Sequence, residues 1–293
     1  MKKYIGYPLL TVLGGAAAFG LRLMQNRTGF EQSTGLPIAG NLYAGILPLL
    51  LGIFAVLFYA MAHRLPAEKA DSSLPFSSCF RTTGAGIPTI LVLGAFAWIA
   101  AGGLSIYNGL IRSGTGLIGG ASTIYTTAAG TCVLTPMMSM LIGCLYIFAG
   151  GCLLPVISAC RFRTRRTEHP VKAGSIRTIL FSIVCLVILL IITYREDSIN
   201  PSLSVYYVEL LAQAGLILLL YRTSSFAYHE GRTRRFIFYS MLAVMLCFAT
   251  LADSHSLSSS IFYVGGVLLS LGFLMLRLNT LAQTETPPSS KGI

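Results

Sequence analysis

Of the ten acidic residues in this 293-residue chain, Glu209 alone falls well inside a long apolar stretch. An ionised carboxylate in hydrocarbon costs about 3 kcal/mol on insertion scales and more on others, so this side chain must face protein or water. Ser202, Tyr206, Glu209 and Gln213 recur at intervals of four, three and four, which puts them on one face of a helix. Asn200 and Pro201 supply a capping residue and a proline for the first helical position, so the helix is expected to begin there. Glu209 would then lie about 14 Å along the axis from Asn200, at about 1.5 Å per residue. Two chemistries fit such a stripe. One is an outward-facing pocket for a cation, a proton or a small polar solute, with Glu209 as the charged ligand. The other is a buried hydrogen bond or ion pair that holds helices together, with Arg22 as a candidate cation, and this is the commoner use of polar groups in membranes.

Partners for Glu209 should come from residues at the same ends of neighbouring apolar stretches, among them Arg22, Asn108, Asp253 and His255. The candidate pocket is therefore Glu209, Gln213, Tyr206, Ser202, Asp253, His255, Arg22 and Asn108. Glu209, Asp253 and His255 lack a metal-binding spacing, and no metal or other cofactor is expected. The chain has no Gly-x-Ser-x-Gly elbow, no His-Glu-x-x-His and no phosphate-binding lysine loop, so no catalytic residue is assigned. Gly114-Thr115-Gly116-Leu117-Ile118-Gly119 matches the dinucleotide pattern in letters only, because the strand before it and the helix-strand unit after it are missing.

The elements that must position these residues follow from composition. With 54% hydrophobic and 11% charged residues, the chain is no ordinary water-soluble domain, in which about a quarter of residues are charged. Apolar stretches near 4–23, 42–62, 87–111, 133–159, 178–194, 201–221, 236–252 and 259–276 are each long enough to cross a bilayer. The expected fold is an all-α polytopic transmembrane bundle of eight spans. It forms one membrane domain over residues 1–282, with a disordered cytoplasmic tail over 283–293. The first span, which follows Lys2 and Lys3, reads as an uncleaved signal anchor.

Charge distribution sets the expected orientation. Seventeen of the 21 Lys and Arg fall at one set of span ends, leaving Arg22, Arg27, Arg112 and Arg195 at the other. Both termini are therefore expected in the cytoplasm, with 26–40 and 112–131 outside. The net charge of +11 is read as topology and attraction to anionic lipids rather than nucleic-acid binding. The basic run 161–172 reads first as a topology determinant and second as a site for anionic lipids or a cytoplasmic partner, while 222–235 reads first as a solvated connection and second as a docking loop, because Phe226 and Tyr228 lie among its arginines.

Small residues indicate packing. Of the 30 glycines, 23 lie in residues 1–160, and Gly94, Ala97, Ala101 and Ser105 share one face of the third span, so the first four spans are expected to pack tightly. Ser139, Gly143 and Gly150 give the fourth span a similar face. The seven cysteines contain no Cys-x-x-Cys pair and read as packing residues.

Thr28-Gly29-Phe30, Thr34-Gly35-Leu36 and Leu251-Ala252-Asp253-Ser254-His255-Ser256-Leu257 resemble segments of uncharacterised multi-pass membrane proteins of anaerobic Gram-positive bacteria. That resemblance implies a bacterial cytoplasmic membrane and carries over no catalytic residue. Three classes of function remain: a binding or transport protein using the polar pocket, a non-catalytic accessory or assembly subunit with a membrane-protein partner, and an intramembrane enzyme. The enzyme ranks last, because no nucleophile and base pair is evident.

Overall fold

A computed structural model describes residues 4–31, 38, 40–66, 76–80, 82, 84–112, 123–127, 130–134, 136–160, 173–197, 203–228, 230–253 and 255–284. Residues 114–119, 161–172, 200–202 and 285–293, which the sequence analysis singled out, lie outside the described residues. The chain forms α1 (Gly6–Thr28), α2 (Leu42–His63), the single turn α3 (Phe76–Cys79) and α4 (Gly86–Arg112). The antiparallel strands β1 (Thr123–Thr127) and β2 (Gly130–Leu134) follow, with Thr123 opposite Leu134 and Thr127 opposite Gly130. Then come α5 (Pro136–Ala159), α6 (Ala173–Asp197), α7 (Leu203–Ala227), α8 (Thr233–Thr250) and α9 (Leu257–Thr284). Among the described residues, eight helices are long and apolar enough to cross a bilayer.

The all-α bundle matches the expected class, and the differences lie at the ends of elements. Several helices run past their apolar stretch: α1 continues to Thr28, α6 takes in Arg195-Glu196-Asp197, and α9 extends over Asn279 to Thr284. Backbone hydrogen bonding continues into the polar flank, where side chains can reach water, so hydropathy alone underestimates helix length. The fourth span begins at Pro136, not near Val133, which belongs to β2. Proline at a first helical position leaves no donor unsatisfied, and its fixed φ suits helix entry.

Six helices close a ring in which α4 packs on α5, α5 on α6, α6 on α7, α7 on α8, α8 on α9 and α9 on α4. The α1–α2 hairpin packs outside this ring against α8. The first four spans therefore do not make one block. Consecutive helices alternate in direction: Tyr7 near the start of α1 donates to Met61 O near the end of α2 at 3.2 Å, and Ser105 on α4 donates to Ser139 O on α5 at 2.8 Å. One end of the bundle, termed here the basic end, gathers Arg64, Arg177, Arg222, Arg232, Arg234, Arg235 and Arg277.

Glycine permits the closest approaches. A Cβ on Gly102 of α4 would stand 2.5 Å from Gly143 O, and one on Gly143 of α5 would stand 2.7 Å from Gly102 O. Gly94 of α4 and Gly265 of α9 make the corresponding crossing on the other side of α4, each Cβ position within 3.0 Å of the partner's carbonyl. Such proximity lets hydroxyls bridge helices, because carbonyls already bonded within a helix retain a second lone pair. Ser258 donates to Ala101 O at 2.6 Å, Ser182 to Ala149 O at 2.8 Å and Thr178 to Cys152 O at 2.8 Å. Each such bond contributes about 0.6 kcal/mol in a membrane, so it is their repetition that matters. Trp98, fully buried, stacks on Phe262 and donates Nε1–H to Phe262 O at 3.0 Å.

The expected small-residue face on α4 is thus divided between two neighbours, with Gly94, Ala97 and Ala101 against α9 and Ser105 against α5. Gly102→Leu should lower stability by about 1–3 kcal/mol through overpacking at the α4–α5 crossing. Gly103→Leu, whose Cβ would meet nothing within 4 Å, should leave stability unaltered. Thermal melting of the two purified variants in detergent compares them directly; equal melting temperatures would reject the crossing as a close contact.

Candidate functional site

Glu209 and Tyr263 stand at matching depth, each six residues past the first residue of its helix, α7 and α9 respectively. The two helices run in the same direction, and six residues amount to about 9 Å. Tyr263 donates its hydroxyl to Glu209 Oε1 at 2.7 Å. Gln213, one turn further along α7, donates from Nε2 to the Tyr263 hydroxyl at 3.0 Å and to Thr193 Oγ1 of α6 at 2.9 Å. The second carboxylate oxygen of Glu209 lies 3.8 Å from His255 Nδ1, with side-chain exposures of 17% and 11%. A chain of polar groups therefore runs from α6 through α7 and α9 to the α8–α9 turn.

Beside it lies a second cluster built on Arg22. This arginine is 1% exposed, and its Nε donates to Asp253 Oδ1 at 2.6 Å. Nη1 donates to Gln25 Oε1 at 3.1 Å, and the guanidinium lies 5.7 Å from the centre of the Tyr207 ring. Asn26 completes the shell, donating from Nδ2 to Asp253 Oδ1 at 2.8 Å and to Ala252 O at 3.1 Å. The pair joins the end of α1 to the end of α8. No hydrogen bond or ion pair joins Arg22 to Glu209 among the described residues, so the suggested Arg22–Glu209 pair is replaced by Arg22–Asp253. The α8–α9 turn explains the preference: Asp253 N bonds to Thr250 O at 3.0 Å and His255 N to Asp253 O at 2.8 Å. Asp253 is thereby held at the close of α8 beside Arg22, while His255 lies by Glu209.

The sequence-derived residues thus divide. Glu209, Gln213 and His255 share one cluster, and Arg22 and Asp253 form its neighbour. Tyr206 is buried on α7 without a hydrogen bond to either cluster, and Asn108 on α4 makes none to these residues. Ser202 lies outside the described residues. Tyr263, Thr193, Tyr207, Gln25 and Asn26 were not singled out as site residues. Tyr263 sits within the apolar run Ile261-Phe262-Tyr263-Val264, where an aromatic reads as packing. The signal that would have found Tyr263 is depth, since it enters the membrane as far along α9 as Glu209 does along α7.

Three buried polar atoms of the two clusters, Tyr207 OH, Gln213 Oε1 and His255 Nε2, have no partner among the described residues. Buried polar atoms ordinarily find one, because leaving a donor or acceptor unmade costs about 1–3 kcal/mol. Chemically the site offers acceptors on Glu209 and Gln213, an imidazole, and a tyrosine hydroxyl that links them. Those groups can hold a cation or a hydrogen-bond donor, or pass a proton between carboxylate and imidazole. Glu209 with His255 is also the juxtaposition that acid–base chemistry requires. No group of three or more metal-ligating side chains is present among the described residues. The thiol of Cys160, just past α5, is buried, and loss of water raises its pKa, which disfavours the thiolate.

The eight helices among the described residues that are long and apolar enough to cross a bilayer fit a multi-pass membrane protein. No family model, curated protein or solved structure matches the chain.

Removing the carboxylate from Asp253 should leave the Arg22 guanidinium, 1% exposed, without the charge of Asp253 beside it. Asp253→Ala should cost about 3–5 kcal/mol, and Arg22→Met in the same chain should restore most of it. The three melting temperatures in detergent measure this; an Asp253→Ala protein as stable as the parent would contradict the pairing.

Proposed function

We propose that the protein lies in a bacterial cytoplasmic membrane, with both termini and the basic end in the cytoplasm, and binds a cation or small polar solute at the Glu209 cluster from the opposite side. The observation that carries this reading is the set of unpartnered buried atoms beside a carboxylate that remains 17% exposed. A purely structural network would be expected to close its own hydrogen bonds. Sign follows from charge: Asp253 matches Arg22, which leaves Glu209 with a hydroxyl and an imidazole as neighbours. A carboxylate with no arginine or lysine bonded to it favours a cation or a hydrogen-bond donor over an anion. The charge asymmetry supports the orientation, and anionic lipids at the cytoplasmic face fit the same distribution.

A second reading, as an accessory subunit, draws on α2. Leu49, Ile53 and Val56 are exposed on this helix, and Gly45 and Gly52 have open space where a Cβ would stand. Such a face suits another transmembrane helix.

Glu209→Gln separates the readings. The amide keeps an acceptor for the Tyr263 hydroxyl, so the melting temperature should hardly change. Heats of binding for a panel of inorganic cations and small amines should show a ligand for the parent protein, and that signal should vanish in the variant. Identical binding by parent and variant would reject Glu209 as a ligand, and a large fall in melting temperature would assign it a structural role.

Orientation is checked by single cysteines in a cysteine-free background. Tyr228→Cys lies at the basic end and Glu31→Cys at the other, both at exposed positions. In intact cells an impermeant maleimide should modify Glu31→Cys and spare Tyr228→Cys until the cells are opened; the reverse pattern would invert the topology.

A further inference from the structure

We propose that the basic end holds a site for the phosphate head group of an anionic lipid, set between α2, α7 and α8. The proposal rests on membrane insertion and is independent of how Glu209 is read. A cavity of about 550 Å³ lies there, lined by Arg222, Arg232, Arg234 and Arg235 together with Tyr59 and Phe238, and no acidic residue is among its lining.

The state of the four arginines points to an absent anion. The side chains of Arg232 and Arg235 make no hydrogen bond or ion pair among the described residues. Arg234 is anchored through Nε, which donates to Leu65 O at 2.7 Å, so its terminal nitrogens remain free to donate. Arg222 lies 5.4 and 5.5 Å from the ring centres of Tyr221 and Tyr239, and its buried Nε has no partner. Four guanidinium groups around one cavity repel each other, and a phosphate relieves that repulsion while accepting their forked donors. The start of α8 adds to the field: its capping position, Arg232, provides no side-chain bond, and no acidic residue occupies its first turn. Its first backbone N–H groups are therefore unsatisfied by side chains, and the helix dipole favours an anion there.

The surroundings select a lipid over a soluble anion. Tyr59 meets Phe238 edge to face at 6.0 Å, and Tyr59 is 60% exposed on the flank of the bundle. Tyr59 is four residues before the end of α2 and Phe238 five after the start of α8. Both therefore lie about 6–8 Å in from the helix ends, where aromatic side chains meet the boundary between head groups and acyl chains. The site thus offers guanidinium groups at the depth of a phosphate and aromatic faces at the depth of the glycerol and first methylenes.

Native mass spectrometry of the full chain in neutral detergent, with phosphatidylglycerol, phosphatidylcholine and inorganic phosphate as separate probes, tests the assignment. One phosphatidylglycerol should remain per chain at concentrations where phosphatidylcholine and phosphate do not. Arg235→Gln, a change at an exposed position that does not threaten folding, should weaken that binding about tenfold, as loss of a charged hydrogen bond does. Arg222→Gln should do the same, while Arg177→Gln, an exposed change at the same end on α6, should leave binding intact. Equal retention of the two lipids, or equal weakening by Arg177→Gln and Arg235→Gln, would overturn the site in favour of diffuse attraction. Inorganic phosphate bound as tightly as phosphatidylglycerol would overturn the lipid assignment.

Discussion

Inside a bilayer a polar side chain has only protein to bond to, and the arrangement of this bundle follows from that constraint. Hydroxyls of Ser105, Ser182, Ser258 and Thr178 use carbonyls of the adjacent helix, which requires helices close enough for a short side chain to bridge. Glycine and alanine at the α4–α5 and α4–α9 crossings supply that proximity. Among the described residues, two deeply buried arginines obey the same rule at opposite ends. Arg22 is held by Asp253 and Gln25, whereas Arg277 donates to Cys79 O at 2.9 Å and Thr233 Oγ1 at 2.7 Å and lies over the Phe226 ring. Arg22 meets a carboxylate, and the contacts of Arg277 among the described residues include two neutral oxygens and an aromatic face.

Those two arginines also explain what α1, α3 and the segment before α4 do. Arg22 fastens α1 to the turn after α8. Arg277 fastens α9 to α3, and Asn279 Nδ2 adds a bond to Thr82 Oγ1 at 3.1 Å. Phe80 fills the space beside α3, with its ring against those of Phe226, Phe236 and Phe273. A four-residue helix has little stability of its own. It is retained because its carbonyl solvates a buried cation and its aromatic neighbours close the bundle beneath it.

Eight spans were legible because a bilayer demands about twenty apolar residues per helix and because arginine and lysine mark their ends. Helix ends were less legible, since a chain that leaves hydrocarbon does not stop being helical. Neighbour relations were not legible at all. Charge and depth place Arg22, Glu209 and Asp253 at one end, but which carboxylate meets Arg22 depends on α1 lying against α8, outside the ring. Glycine content had a similar limit: Gly94 was visible as a packing residue, yet its partner Gly265 lies in the glycine-poor half of the chain. The polar stripe on α7 put Glu209 and Gln213 on one face, and it left out Tyr263 because a tyrosine in an apolar run carries no sign of which end of it is used.

The two ends differ in how their charges are balanced. Ten acidic residues cannot match 21 basic ones, and among the described residues four arginines without an acidic partner, Arg222, Arg232, Arg234 and Arg235, gather at the end of α7 and the start of α8, where head groups and water are near. At the other end the pairing of Arg22 with Asp253 has a consequence for Glu209. Asp253 sits two residues before His255 in a turn tied by backbone bonds at 3.0 and 2.8 Å. Anchoring Asp253 on α1 therefore also holds the imidazole beside the carboxylate on α7. The ion pair is structural in itself, yet it sets the distance between the two groups whose spacing decides whether a cation or a proton can be shared between them.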